Sequence, residues 1–218
     1  MAQLIRLRSL PEAVKPPLRL AVTGGIGSGK TYITSIFQQL GWLVQRADEI
    51  NSTLLDTDSE VIRQLSQHFP TAVSGHAIDR RVLAAQVFTD TEARVTLESI
   101  MHPRIQNVQH SFLNAPWNRG EPKVRVCEIP LLVETTGHSG FDVVLAVEAP
   151  LQLRTDRLTA NRGLTLVDAK TRIAEQATDT QRRSIADLVL VNDENGRPVK
   201  EVLNSFKVEL EALVEENL

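Results

Sequence analysis

At 218 residues, with 42% apolar and 23% charged positions, the chain has the composition of a globular domain, which excludes a collagen-like, coiled-coil or disordered polypeptide. Lys and Arg number 24 against 27 Asp and Glu, a net charge of −3 that is too balanced to predict binding to nucleic acid or to a membrane surface. The one cysteine, Cys127, permits neither an intrachain disulfide nor a cysteine-based zinc site, and no apolar run approaches the roughly 18 residues of a membrane helix, so a cytoplasmic protein is expected.

Met1 to Arg8 has no continuous apolar region of the signal-peptide kind. Residues 1–17 read as an N-terminal extension ending in Lys15-Pro16-Pro17, which cannot continue a helix. Leu18-Arg19-Leu20-Ala21-Val22-Thr23 is a short apolar run suited to a buried strand. After a cluster of glycines, Ile33, Ile36, Phe37 and Leu40 recur at helical spacing until Gly41, where a glycine would stop the helix. Trp42-Leu43-Val44 predicts a second strand. From Glu49 to Trp117 the pattern turns helical, with helices over 59–69 and 79–88 and a long one after Asp90. Thr89 and Glu92 have capping-box spacing at the start of the long helix, and Pro103 predicts a break or kink near Met101-His102. Strand character returns over 123–128, 143–148 and 187–191, with helices over 151–161 and 165–178, the second headed by a Thr165 and Asp168 capping box. An amphipathic helix on Val199, Val202, Leu203, Phe206, Leu210 and Leu213 ends the pattern. The alternation predicts an α/β fold: a parallel five-stranded sheet flanked by helices, with core segments 18–48 and 119–218 and a helical insertion over 49–118.

Gly24-Gly25-Ile26-Gly27-Ser28-Gly29-Lys30-Thr31 fits G-x-x-x-x-G-K-[ST], and it lies between an apolar strand and a periodic helix as a phosphate-binding P-loop must. Its glycines reach positive φ and let backbone N–H groups curl around a β-phosphate. Lys30 reaches the β- and γ-oxygens, the Thr31 hydroxyl ligates Mg²⁺, and the helix from Gly29 adds its positive end. No Asn-Lys-x-Asp guanine reader is present, since Asn192-Asp193 lacks the lysine; this argues against a small GTPase.

A small-molecule kinase needs a carboxylate near the acceptor hydroxyl, an acceptor subdomain and cationic groups on a lid. Asp48 follows the second strand, where it either accepts the acceptor's proton or caps the helix that begins there. The lid spans about 154–183 and carries Arg154, Arg157, Arg162, Arg172, Arg182 and Arg183; one or two of these would meet the γ-phosphate, the rest being solvated. Glu128 either holds an Mg²⁺-bound water or is a strand-end charge. His102 either touches a ligand phosphate or caps a broken helix. Cys127, Trp42 and Trp117 read as packing residues.

Thr23-Gly24-Gly25-Ile26-Gly27-Ser28-Gly29-Lys30 resembles the opening of the dephospho-CoA kinases, the last enzymes of coenzyme A synthesis, and the resemblance runs from Leu18 to the C-terminus. Ala47-Asp48 is similar to the end of the family's Asp-Ala-Asp element. Leu83, Val87-Phe88 and Asp90, then Met101-His102-Pro103 and Ile105, resemble segments of its helical CoA-binding domain. Ile129-Pro130-Leu131-Leu132-Val133-Glu134 is similar to its Ile-Pro-Leu-Leu-Phe-Glu signature, and Arg157-Leu158, Ala174-Glu175-Gln176 and 187–196 follow in the family's order.

The resemblance implies ATP-dependent phosphorylation of the ribose 3'-hydroxyl of dephospho-CoA, with Mg²⁺. Asp48 takes the catalytic-base position and Arg157 the lid. Residues Gly25 to Thr31, with Tyr32 beside them, hold the nucleotide phosphates, and Asn192 to Gly196 pack on adenine. His102 and Pro103 lie in the acceptor-side motif of the insertion. A monomer with a small-molecule acceptor, and neither a nucleic-acid nor a membrane partner, is expected. Three positions depart from the family: Arg46 replaces the first acid of Asp-Ala-Asp, Thr31-Tyr32 replaces Ser-Thr, and Asn161-Arg162 shifts the lid's Arg-Asp pair by one. The alternatives are another P-loop small-molecule kinase, such as a nucleoside monophosphate kinase, or an ATP-binding regulatory protein without turnover.

Overall fold

The computed structural model describes residues 2–75, 77–135, 139–193 and 198–215. The chain divides into two units, Met1–Gln45 with Ala115–Leu218, and Arg46–Asn114. Among the described residues, the first unit is built on a mixed six-stranded sheet of β1 (Gln3–Arg6), β2 (Leu18–Gly24), β3 (Leu43–Arg46), β6 (Val124–Glu128), β7 (Val143–Glu148) and β8 (Leu188–Val191). Their spatial order is β1-β8-β7-β2-β6-β3. The pairs β2/β6, β2/β7 and β7/β8 are parallel, as right-handed strand–helix–strand crossovers require.

The sheet therefore differs from the expected five parallel strands. Its sixth strand, β1, comes from the segment read as an extension and runs antiparallel to β8, with Leu4 opposite Leu190 and Ile5 opposite Val189. The strand offers only two apolar residues, Leu4 and Ile5, on opposite faces, too few for a periodicity to register. The pairing is fixed instead by β8 and by ion pairs of Arg6 with Glu209 and Arg8 with Asp187. Val14 bridges to Val214 beyond it.

The strands β6 and β7 are buried at every residue, which is why they read as continuous apolar runs. Leu20, Val22, Val126, Leu145 and Val147 form the centre of the core, covered by Ile33, Ile36 and Phe37 of α1 (Lys30–Gln39) and by Leu203, Phe206 and Leu210 of α10 (Val199–Ala212). Burying each such side chain contributes about 1.5–3 kcal/mol. Gly41, at φ +93°, ends α1 in the left-handed conformation that a glycine adopts without strain. The next residue, Trp42, packs its ring 4.8 Å from that of Phe37 and donates its indole N–H to Glu211 at 2.8 Å.

The second unit contains α2 (Ala47–Thr57), α3 (Ser59–His68), a two-stranded ribbon of β4 (Val73–Ser74) and β5 (Ala77–Ile78), α4 (Arg80–Thr89) and α5 (Thr91–Asn114). Its own core joins Leu54, Leu65, Phe69, Leu83 and Met101. Asp58 and Asp79 cap α3 and α4 by accepting two backbone N–H groups each. The start of α5 is capped by Asp90, which accepts from Glu92 and Ala93, and not by Thr89, whose hydroxyl turns back to the carbonyls of Ala85 and Gln86. Of the break or kink expected at Pro103 there is no break: α5 continues through it as one helix of 24 residues. A proline inside a helix costs about 3 kcal/mol, but Ile100 and Met101 before it and Leu113 after it are buried and anchor both halves.

Between β6 and β8 the first unit places α6 (Leu132–Thr135), α7 (Leu151–Arg162), α8 (Leu166–Ala174) and α9 (Asp179–Ile185). The helix expected over 165–178 is shorter. Thr165 caps α8 as its spacing predicts, but Thr178 and Gln181 form a capping box that starts α9.

Candidate active site

Four neighbouring strands bring their carboxyl ends to one edge of the sheet in the first unit, the edge where α/β proteins bind ligands. β2 runs into the glycine loop, β6 ends in Glu128, β7 ends in Glu148, and Asn192 follows β8. Gly27 and Gly29 take φ +79° and +94°. At both positions a Cβ would also collide, with the Arg154 backbone at Gly27 and with the Asn192 amide at Gly29. The loop is thus tightly enclosed.

Lys30 is buried, and its Nζ donates to the carbonyls of Gly24 at 2.7 Å and Gly25 at 3.1 Å. A cation is thereby held against the loop whose N–H groups can face an anion. The Ser28 hydroxyl is buried inside the loop without a hydrogen-bond partner, as befits a cradle whose remaining partner is a ligand. The Thr31 hydroxyl donates to Glu128 Oε1 at 2.8 Å, and Thr34 donates to Glu128 Oε2 at 2.7 Å. A hydroxyl and a carboxylate side by side are hard oxygen donors. They fit Mg²⁺, which takes one or two carboxylates and completes its shell with waters and substrate phosphates.

The far side of the loop is held by α7 and the segments after it. Arg157 Nη1 donates to the carbonyls of Gly27 at 3.2 Å and Ser28 at 3.3 Å, and Asn192 Nδ2 donates to the Ser28 carbonyl at 2.8 Å. Two further residues bind the loop: Arg154, one of the six arginines read as lid residues, and Gln176, which closes the Ala174-Glu175-Gln176 element. Arg154 Nε donates to the Ile26 carbonyl at 2.9 Å, and Gln176 Oε1 accepts the Ile26 N–H at 2.7 Å. Arg154 lies three residues, about one helical turn, before Arg157; that shared face was the available signal. Burial pushes the Arg154 guanidinium below its usual pKa, with Asp179 opposing that shift and Arg182 adding to it. Arg183 is clamped by two hydrogen bonds to Glu148, which raise its pKa. Arg162 and Asn161 are exposed at the end of α7.

The other expected site residues stand as follows. Tyr32 is 56% exposed on α1. Gly196 lies outside the described residues. In the second unit, Asp48 is exposed in the first turn of α2; the N-cap there is Arg46, so the capping role weighed for Asp48 does not apply. Arg46 pairs with Glu49 at 3.0 Å. His102 is half-buried and Pro103 exposed in the middle of α5. Cys127 is buried in β6, and burial pushes its thiol up to about 12.

A parallel strand, a glycine loop with its lysine turned onto it, and a Thr–Glu oxygen pair are the parts of a P-loop nucleotide-binding protein. The family model described as dephospho-CoA kinase matches residues 18–197. A dephospho-CoA kinase of Deinococcus radiodurans is 38% identical over 84% of this chain and 87% of its own. One of Mycobacterium tuberculosis is 37% identical over 83% of this chain, which spans 44% of that longer protein. A crystal structure from Thermus thermophilus superposes with a TM-score of 0.73 at 31% identity, over 92% of this chain and 100% of that one. The chain belongs to the dephospho-CoA kinase family, enzymes that transfer a phosphoryl group from ATP to dephospho-CoA in the last step of coenzyme A synthesis. The fold is wider than the family: a shikimate kinase of Acinetobacter baumannii superposes with a TM-score of 0.51 at 13% identity. Among the described residues no helix is long and apolar enough to cross a membrane.

Proposed function

We propose that this chain carries out its family's reaction with the ribose 3'-hydroxyl of dephospho-CoA as acceptor, and that the residues named above divide the work. The observation that carries the reading is the enclosed loop with Lys30 lodged on it. A cation and N–H dipoles fixed before the substrate arrives need no reorganisation as charge moves to the β–γ bridge.

Residues 25 to 31 hold the β- and γ-phosphates. Thr31 and Glu128 hold Mg²⁺, which when bound neutralises phosphate charge. Asp48 takes the proton of the 3'-hydroxyl as its oxygen bonds to the γ-phosphorus and the bond to the β–γ bridging oxygen breaks, releasing ADP. Helices α7 to α9 act as the lid, with Arg157 fixing the outer wall of the loop. Tyr32, Asn192 and Gly196 border the nucleotide, and His102 and Pro103 serve the acceptor. Arg46, paired with Glu49, stands at the position of the family's first acid, so Asp48 is the one carboxylate of that element in this chain.

The test is ADP release from Mg-ATP with dephospho-CoA, AMP, CMP or no acceptor in parallel. Turnover with dephospho-CoA alone is expected. Turnover with a monophosphate instead would make the chain a nucleotide kinase, and nucleotide binding without turnover on any acceptor would make it a binding protein.

A further inference from the structure

Among the buried apolar residues Ile33, Ile36 and Phe37 of α1 stands a polar one, Thr34, at 0% exposure. Threonine is a modest helix former, and a buried hydroxyl must find a partner. Two acceptors lie within reach of its one proton: Glu128 Oε2 at 2.7 Å and the Thr31 carbonyl, one turn back, at 3.2 Å. The carboxylate is both nearer and charged, so it takes the stronger bond. Thr31 and Thr34 are three residues apart, and the helix therefore presents both hydroxyls on one face to Glu128 at the end of β6.

Glu128 is 4% exposed, and its two oxygens are divided between these hydroxyls, Oε1 to Thr31 and Oε2 to Thr34. The terminal torsion of a glutamate is soft and roughly two-fold. A single hydrogen bond would leave the carboxyl plane free to turn about it. A second one, from the next turn of the same helix, fixes that plane, and Thr34 thereby keeps Oε1 beside the Thr31 hydroxyl. Rigidity of this kind matters to a small cation: Mg²⁺ demands near-ideal octahedral geometry, whereas Ca²⁺ accepts an irregular shell.

We propose that Thr34 is a positioning residue for the divalent cation: by holding Glu128 Oε2 it fixes the Thr31–Glu128 oxygen pair in an arrangement that favours Mg²⁺ over Ca²⁺. Fully buried, it acts only through Glu128. The inference rests on reading Thr31 and Glu128 as the residues that hold the metal.

Calorimetric titration of the full chain with an ATP analogue whose β–γ bridge cannot be cleaved, in Mg²⁺, in Ca²⁺ and in EDTA, tests the assignment. In Thr34→Val the affinity in Mg²⁺ should fall about tenfold, while the affinities in Ca²⁺ and in EDTA change less than about threefold. Thr34→Ser, which keeps the hydroxyl, should restore the Mg²⁺ affinity, and Thr34→Ala should repeat the loss if valine beside the carboxylate prevents folding. An unchanged Mg²⁺ affinity in Thr34→Val, or a serine variant as weak as the valine one, would reduce the hydroxyl to a partner of the Thr31 carbonyl and overturn the proposal. A loss as large in Ca²⁺ or in EDTA would assign the effect to the helix or the loop and overturn it too. Glu128→Gln separates the proposal from the reading beneath it, because it should abolish the gain in affinity that Mg²⁺ brings to the wild type. A gain that survives in Glu128→Gln would overturn the metal reading, and this inference with it; a gain lost there but intact in Thr34→Val would overturn the role of Thr34 alone.

Discussion

In the first unit the groups assigned to the phosphates are already paired and enclosed: Lys30 sits on two loop carbonyls, Glu128 takes two threonine hydroxyls, and Asn192 and Arg157 brace Ser28. In the second unit Asp48 and Pro103 stand exposed on helices whose stability comes from a separate apolar core. The contrast has a physical reason. A phosphate cradle stabilises charge through dipoles held still, so its atoms must be fixed by neighbours. A group that removes a proton from an acceptor needs only to be reachable, and burying a carboxylate without a partner would raise its pKa and stop it ionising.

The comparison can be broken at its strongest point first. Lys30→Ala should lower turnover by about 10³-fold or more, measured as ADP release with dephospho-CoA, while circular dichroism stays native; near-normal turnover would mean the cradle is not the centre of the chemistry. Next, Leu65→Ala empties a fully buried position of the second unit and should cost about 3 kcal/mol in denaturant unfolding. If the two units are cooperative, Leu20→Ala, equally buried in the first unit, will shift the same single transition; two transitions would show independent folding. Asp48→Asn should drop kcat by about 10²-fold with nucleotide affinity nearly unchanged, and unchanged turnover would remove Asp48 from the base role.

The smallest effect concerns Cys127. Its thiol is raised from 9.0 to about 12 in the folded chain, so between those values the unfolded chain loses a proton that the folded one keeps. Stability from this group is complete below pH 9 and declines as pH rises toward 12. Cys127→Ala should flatten the decline in urea midpoint between pH 8 and about 10; an unchanged slope would assign the decline to other groups.

The apolar strands and the loop were legible because a buried parallel strand is a short unbroken apolar run and a P-loop needs glycine at fixed offsets. What escaped was decided by partners distant in sequence for β1, by burial on either side of Pro103 for α5, and by a local capping box for the helix after Thr165. β1 is a strand because β8 has an open edge. The helix α5 passes Pro103 because both of its halves are pinned by burial. The helix expected to run on to Thr178 stops early because Thr178 and Gln181 satisfy each other's backbone groups and start another. Arg154 was one of six lid arginines, and its one-turn spacing from Arg157 put both on one helix face without showing what that face meets; the close approach of Arg154 to Gly25 shows that it meets the loop.

The positions of the aromatic residues have a practical consequence. Trp42, Trp117 and the lone tyrosine, Tyr32, all fall in the first unit, and residues 46–114 contain neither residue type. Intrinsic tryptophan and tyrosine emission therefore originates in the first unit, and the helical unit contributes no fluorophore of that kind. Phe88, 78% exposed on α4, is where a Phe88→Trp substitution would give that silent half a signal of its own.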